Sequence, residues 1–195
     1  MRSDWNPMPH VLAVTCPGCT AEARFEFAEM VEIRLRQDVP YFQNSRDFEY
    51  LKVRSYGGGF ANAAVYFHGL SRRALDVISD LPEGYNPAKW RHSRYLFRSH
   101  GSDMGAVICR NCDWRRKHVL SWPKDAYFQI SYKSSVLWAF DREHALEILT
   151  FIGSEARTPS TFKFARSLQK LPAHFVSSKA RVTVTNRLEA LLRKG

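Results

Sequence analysis

Apolar and polar residues alternate with a period of two over much of residues 11–140, then change to helical spacing. Residues 11–15 form a short β-prone run. Across 21–27, Ala23, Phe25 and Phe27 share one face and Arg24 and Glu26 the other, which predicts a half-buried strand. The alternation persists over 29–36, as a continuation of that strand or a new one. Pro40 and the polar Gln43, Asn44, Ser45 and Arg46 predict a loop. Residues 48–54 alternate again, Gly57 to Gly59 supply a turn, and 60–67 is apolar, together a predicted hairpin. Ser71 can cap a helix over 72–81 that buries Leu75, Ile78 and Leu81 and ends at Pro82 and Gly84. Further strands are predicted at 105–109, 113–122, 126–132 and 135–140. Asp141 then reads as an N-cap, with Glu143 in the first turn and Ala145, Ile148, Leu149 and Ile152 as the apolar stripe of a helix that Gly153 stops. Ser160 or Thr161 can cap a second helix, presenting Phe162, Ala165, Leu168 and Leu171 until Pro172. Ser177 or Ser178 can cap a last one ending near Leu192, although 181–185 alternates like a strand.

Two cysteine pairs interrupt the strand pattern: Cys16-Pro17-Gly18-Cys19 and Cys109-Arg110-Asn111-Cys112, the only four cysteines in the chain. Each has the C-x-x-C spacing in which a tight turn aims two thiolates at one metal, and two such turns complete a tetrahedral shell. Each pair follows one strand and precedes another, as in a zinc ribbon, whereas a redox C-x-x-C opens a helix. The pairs are 89 residues apart, so a Zn2+ ion held by Cys16, Cys19, Cys109 and Cys112 would tie together distant parts of the sequence. Four thiolates fill the shell, which predicts a structural rather than a catalytic metal. The strands at 126–132 and 135–140 are expected to close a sheet beside it.

Composition narrows the classes. With 45% hydrophobic residues among 195, the chain can bury a core, and wholesale disorder is excluded. No run reaches the length of a membrane-spanning helix, and residues 1–10 do not read as a signal peptide. The expected compartment is the cytoplasm, where paired thiols favour metal over disulfides. The formal charge of +10 points to a polyanionic partner. Residues 156–195 hold nine Lys or Arg against Glu189 alone.

From these residues the chain resembles zinc-ribbon proteins, and a group of poorly characterised bacterial proteins that carry such a ribbon. The resemblance rests on Cys109-Arg-Asn-Cys112, on Lys117-His118-Val-Leu-Ser-Trp122-Pro123-Lys-Asp125-Ala126-Tyr127, on Leu137-Trp138-Ala139-Phe140-Asp141-Arg142-Glu143-His144, and on the basic helical tail. It covers residues 109–195 and the first cysteine pair. It implies a structural zinc and a nucleic-acid or protein contact, and no catalytic residues. Ribbons normally have short spacers, so the long insertion departs from the pattern.

The fold expected is α+β: a zinc-ribbon β domain over 10–140, with a β-rich insertion at about 28–104, and a basic helical region over 141–195. The function expected is non-enzymatic nucleic-acid binding, to DNA or RNA, as a subunit of a larger bacterial assembly serving defence, transcription or a mobile element. Candidate phosphate contacts are Lys89, Arg91, Arg94 and Arg98, with Trp90, Tyr95 and Phe97 able to stack on bases or to enter the core. Arg115, Arg116 and Lys117 follow the second pair, and Arg110 lies within it. Lys163, Arg166, Lys170, Lys179, Arg181 and Arg187 lie in the tail. The alternatives are an adaptor whose basic face meets an acidic protein, and a metal-dependent nuclease using Asp47 and Glu49 near Lys52. Gly57–Gly59 lacks the lysine of a phosphate loop. His144 reads as a surface or core residue.

Overall fold

The computed structural model describes residues 8–54, 58–87, 90–92 and 103–194, without the side chains of residues 91 and 92. Lys89, Arg94, Tyr95, Phe97 and Arg98 lie outside the described residues. The chain is α+β with antiparallel sheets. The strands are β1 (Val11–Thr15), β2 (Glu22–Phe27), β3 (Glu29–Ile33), β4 (Phe48–Arg54), β5 (Phe60–Tyr66), β6 (Arg91–His92), β7 (Met104–Ile108), β8 (Arg115–Val119), β9 (Gln129–Tyr132) and β10 (Ser135–Trp138). They form sheets in the orders β1-β2-β7-β8 and β4-β5-β3-β6, and a separate pair, β9 with β10. The chain divides into two compact units, Arg24–Ser121 and the combination of Met1–Ala23 with Trp122–Gly195.

In the unit Arg24–Ser121, the β4-β5-β3-β6 sheet is covered on both faces because its period-two pattern carries apolar residues in both phases. Met30, Val53, Ala63 and Val65 pack on one side. Ile33, Phe48, Ala64 and Tyr66 pack on the other, joined by Phe42 and Ile78. Such two-sided burial is unusual for an antiparallel sheet. One side is closed by α1 (Val39–Asn44), where the sequence predicts a loop; proline sits at the start of this helix, where its missing N–H costs nothing. Residues 72–81 do not form the expected helix. They run as an irregular segment with a single 3-10 turn, Leu75–Val77. The Ser71 hydroxyl donates to Asp47 O at 3.0 Å and Phe67 O at 3.2 Å instead of capping. Arg73 reaches the buried carboxylate of Asp47 through Nε (2.8 Å) and a terminal nitrogen (2.7 Å), and meets Asp80 at 2.8 Å. The apolar Leu75, Ile78 and Leu81 still enter the core, so the side-chain pattern is satisfied without helical backbone.

Where β2 and β7 pair, Gly105 faces Phe27. A Cβ there would stand 2.3 Å from the Glu26 carbonyl oxygen and 2.4 Å from the Phe25 ring. Gly105→Ala should therefore lower stability by about 2 kcal/mol through overpacking against fixed backbone, measurable as a lower urea midpoint. An unchanged midpoint would show that the strands part freely here.

The other unit gathers one core from β9, β10 and the helices, including Phe128, Leu137, Ile148, Ile152, Leu168, Phe175 and Val184. Residues 126–140 yield two short strands in register Ser135 to Tyr132. As strands they pair with each other in a sheet of their own, and the residues flanking them bond to β1 beside the first cysteine turn: Val14 bridges Ala126, the Tyr127 N–H donates to Ala13 O at 3.1 Å, and the Ala13 N–H donates to Phe140 O at 2.7 Å. Helix α2 (Arg142–Gly153) starts as anticipated: Asp141 Oδ1 accepts the His144 backbone N–H at 2.8 Å. The next helix is shorter than expected. Residues 159–161 form a 3-10 turn, and α3 (Ala165–Gln169) follows with its incoming N–H groups, Lys163 and Phe164, both donating at 2.9 Å to the Glu147 carboxylate on α2. Helix α4 (Ala173–Val176) follows Pro172 directly. In α5 (Ser178–Leu192), Ala180, Val184, Leu188 and Leu192 are buried at every fourth position. That stripe overrides the strand-like alternation of 181–185, because burial outweighs the weak helix propensity of Val and Thr.

His144 is fully buried. Its ring lies between Phe140 (5.0 Å) and Phe164 (4.4 Å), stacked on both, and Nδ1 accepts the Phe140 backbone N–H at 3.1 Å. That bond places the proton of the neutral ring on Nε2. Burial pushes the pKa of His144 down to about 3.

Candidate metal centre

The two cysteine turns are built alike. In each, the first cysteine's N–H donates to the carbonyl five residues on: Cys16 to Ala21 and Cys109 to Trp114, both at 2.8 Å. The fourth residue after each first cysteine takes a left-handed backbone, Thr20 with φ 62° and Asp113 with φ 55°. A non-glycine residue there costs about 1 kcal/mol or more, so the same strained turn in both places implies a common purpose. In the first turn the Gly18 N–H also donates to Cys16 Sγ at 3.3 Å, the bond that steadies a thiolate.

These turns bring the four sulfurs of Cys16, Cys19, Cys109 and Cys112 within 4.8 Å of one another. A tetrahedral zinc–thiolate shell, with metal–sulfur bonds of about 2.3 Å, spaces its sulfurs by about 3.8 Å. The cluster is therefore close to that geometry, and none of the four cysteines is in a disulfide. Cys16 and Cys109 are buried, Cys19 is half-buried and Cys112 is exposed. Four sulfur donors at this spacing can hold a metal ion.

The basic candidates are distributed as follows. Arg115, Arg116 and Lys117 are exposed on β8, the edge strand leaving the second cysteine turn, and Arg110 is exposed within that turn. Arg116 lies over the Trp114 ring at 4.6 Å. Lys117 lies over Phe67 at 4.8 Å and donates to Glu49. In the tail, Arg166, Lys170, Lys179 and Arg187 are exposed. Lys163 pairs with Glu143, Arg187 donates to Ser131 O, and Arg181 is half-buried. Arg91 enters the structure through β6, whose backbone pairs Arg91 with Met30. Trp90 is half-buried, its ring 5.5 Å from that of Phe48.

The carboxylates of the nuclease alternative are both engaged, Asp47 by Arg73 and Glu49 by Lys117. Neither belongs to a metal-holding group among the described residues. No described helix is long and apolar enough to cross a membrane.

Comparisons with family models, curated proteins and solved structures find no match. The reading of function rests on the chain itself.

Proposed function

We propose that this chain is a non-catalytic zinc-ribbon module that binds nucleic acid. Zinc is the metal that fits a closed set of four thiolates, and with no open position it stabilises the fold and activates no water. The observation that carries the reading is the pairing of two matched cysteine turns with the exposed Arg115, Arg116 and Lys117 on the strand leaving the second. Cations on an edge strand also discourage strand-to-strand aggregation. The tail adds further exposed cations on α5, Lys179 and Arg187. Arginine and lysine so displayed neutralise phosphates and gain from counterion release. A cytoplasmic bacterial assembly working on DNA or RNA is the setting proposed.

One observation favours a second reading. Lys117, Lys163 and Arg187 already have partners within the chain, as expected of a solvated face or of an adaptor meeting an acidic protein.

Fluorescence anisotropy with single- and double-stranded DNA and RNA, at two salt concentrations, separates the two. Binding should weaken steeply with salt. The double variant Arg115→Glu/Arg116→Glu should weaken it on all sequences and lower the salt slope by about 1 for each phosphate left without its cation. No binding by metal-loaded protein would remove the nucleic-acid reading and leave the adaptor.

A further inference from the structure

In the unit Arg24–Ser121, the β4-β5 hairpin carries one face that is buried at one end and open at the other. Residues opposite one another in an antiparallel pair share a face, and the pairs here are Phe48 with Tyr66, Tyr50 with Ala64, Lys52 with Asn62 and Arg54 with Phe60. Phe48, Tyr66 and Ala64 are buried, Tyr50 and Asn62 half-buried, and Lys52, Arg54 and Phe60 exposed. The cover that α1 provides therefore stops short of the last two pairs. Phe60 is 76% exposed, more than any other large apolar side chain among the described residues. A cavity of about 540 Å3 opens over this end, lined by Tyr50, Lys52, Phe60 and Asn62 of the sheet and by Arg36 and Gln43. That size falls in the range of small-molecule sites. The Tyr50 hydroxyl donates to Asn62 Oδ1 at 2.6 Å, which fixes both side chains in the wall.

The chemistry of the wall narrows the occupant. No carboxylate among the described residues lines the cavity, and Arg36, Lys52 and Arg54 make no ion pair with a described residue. In this they differ from Lys117, Lys163 and Arg187, which are already partnered. Phe60 exposes apolar area that contributes nothing to folding, while the cations around it disfavour a purely apolar protein surface. A partner that joins a flat π face to negative charge meets both conditions. Unpaired bases on a phosphate backbone do so, whereas duplex bases keep their faces stacked on each other. An anionic membrane also offers charge and apolar surface. Its hydrocarbon would leave the Gln43 and Asn62 amides without hydrogen bonds, and a base edge can supply them.

We propose that the open end of this hairpin is a single-strand site, where a base stacks on Phe60 while Arg36, Lys52 and Arg54 neutralise the flanking phosphates. This rests on the nucleic-acid reading above and narrows it to unpaired bases, on a surface separate from β8.

Fluorescence anisotropy of the metal-loaded full chain with one labelled sequence, single-stranded and as its duplex, in DNA and RNA, tests it. Phe60→Ala and Phe60→Leu should each weaken single-strand binding about tenfold, Phe60→Trp should preserve it, and duplex binding should be unchanged. Leucine keeps the apolar bulk, so a loss there identifies stacking. Lys52→Gln should instead lower the salt slope on the single strand by about 0.7. Phe60 supports no core, so its variants should fold as the parent does, and Lys52→Gln carries the test if one does not. Unchanged single-strand affinity in both Phe60→Ala and Phe60→Leu, or an equal loss on the duplex, would overturn the proposal and leave the β8 surface standing. So would Phe60-dependent binding to phosphatidylglycerol vesicles with no such dependence on the single strand. If no nucleic acid binds at all, the proposal falls together with the reading it rests on.

Discussion

Replacing Cys109 with serine should abolish stoichiometric metal binding and with it cooperative unfolding at the native temperature. Closed zinc–cysteine sites bind with on the order of 10 kcal/mol or more, which equals the whole stability of an ordinary domain. Cys109 is 2% exposed and starts a strained turn at the end of β7. Serine there leaves a three-thiolate shell and a buried hydroxyl in place of the fourth ligand. The exposed Cys112 should be the milder site, because water can take its place in the shell. Metal analysis together with thermal melts by circular dichroism reads both variants. A Cys109→Ser protein that melts like the parent would mean that the four thiols are merely close and reduced.

The second large effect concerns pH. His144 is held neutral with a pKa of about 3, against 6.5 for a free histidine, and the cause is burial. The unfolded chain therefore binds a proton that the folded chain refuses between those values. Stability contributed by the neutral ring is complete above about pH 6.5 and is lost as pH falls towards 3, by up to about 5 kcal/mol. Urea denaturation at several pH values should show this slope in the parent and lose it in His144→Phe. Carboxylate pairs such as Arg73 with Asp80, which lowers the Asp80 pKa, and the acid release of metal act in both proteins. The difference between the two curves isolates the ring. Parallel curves would mean that His144 protonates in place, with water reaching Nε2.

What the sequence carried plainly was short-range. The alternation over 48–54 and 60–67 became β4 and β5, and Asp141 caps α2 as its position implied. The cysteine spacing foretold a cluster, because two C-x-x-C turns have one common geometry whatever separates them. Expectation and structure part where distant residues decide local structure. Ser71 resembles a cap, but its hydroxyl serves Asp47 and Phe67, and Arg73 is drawn to Asp47 on the edge of β4. Those long-range bonds replace the helix over 72–81. Likewise the two residues entering α3 are held by Glu147, sixteen residues before Lys163, and no local motif announces it. The α5 segment has two periodicities, and only the core formed with β9 and α2 selects the helical one.

The central claim is that Cys16, Cys19, Cys109 and Cys112 together hold one metal ion in a closed shell. The most direct test is titration of metal-free protein with Co2+ while the absorption spectrum is followed. One equivalent per chain, with intense sulfur-to-cobalt charge-transfer bands and the strong visible bands of a tetrahedral site, is the predicted result. Weak visible bands of six-coordinate cobalt, or saturation at half an equivalent per chain, would contradict it.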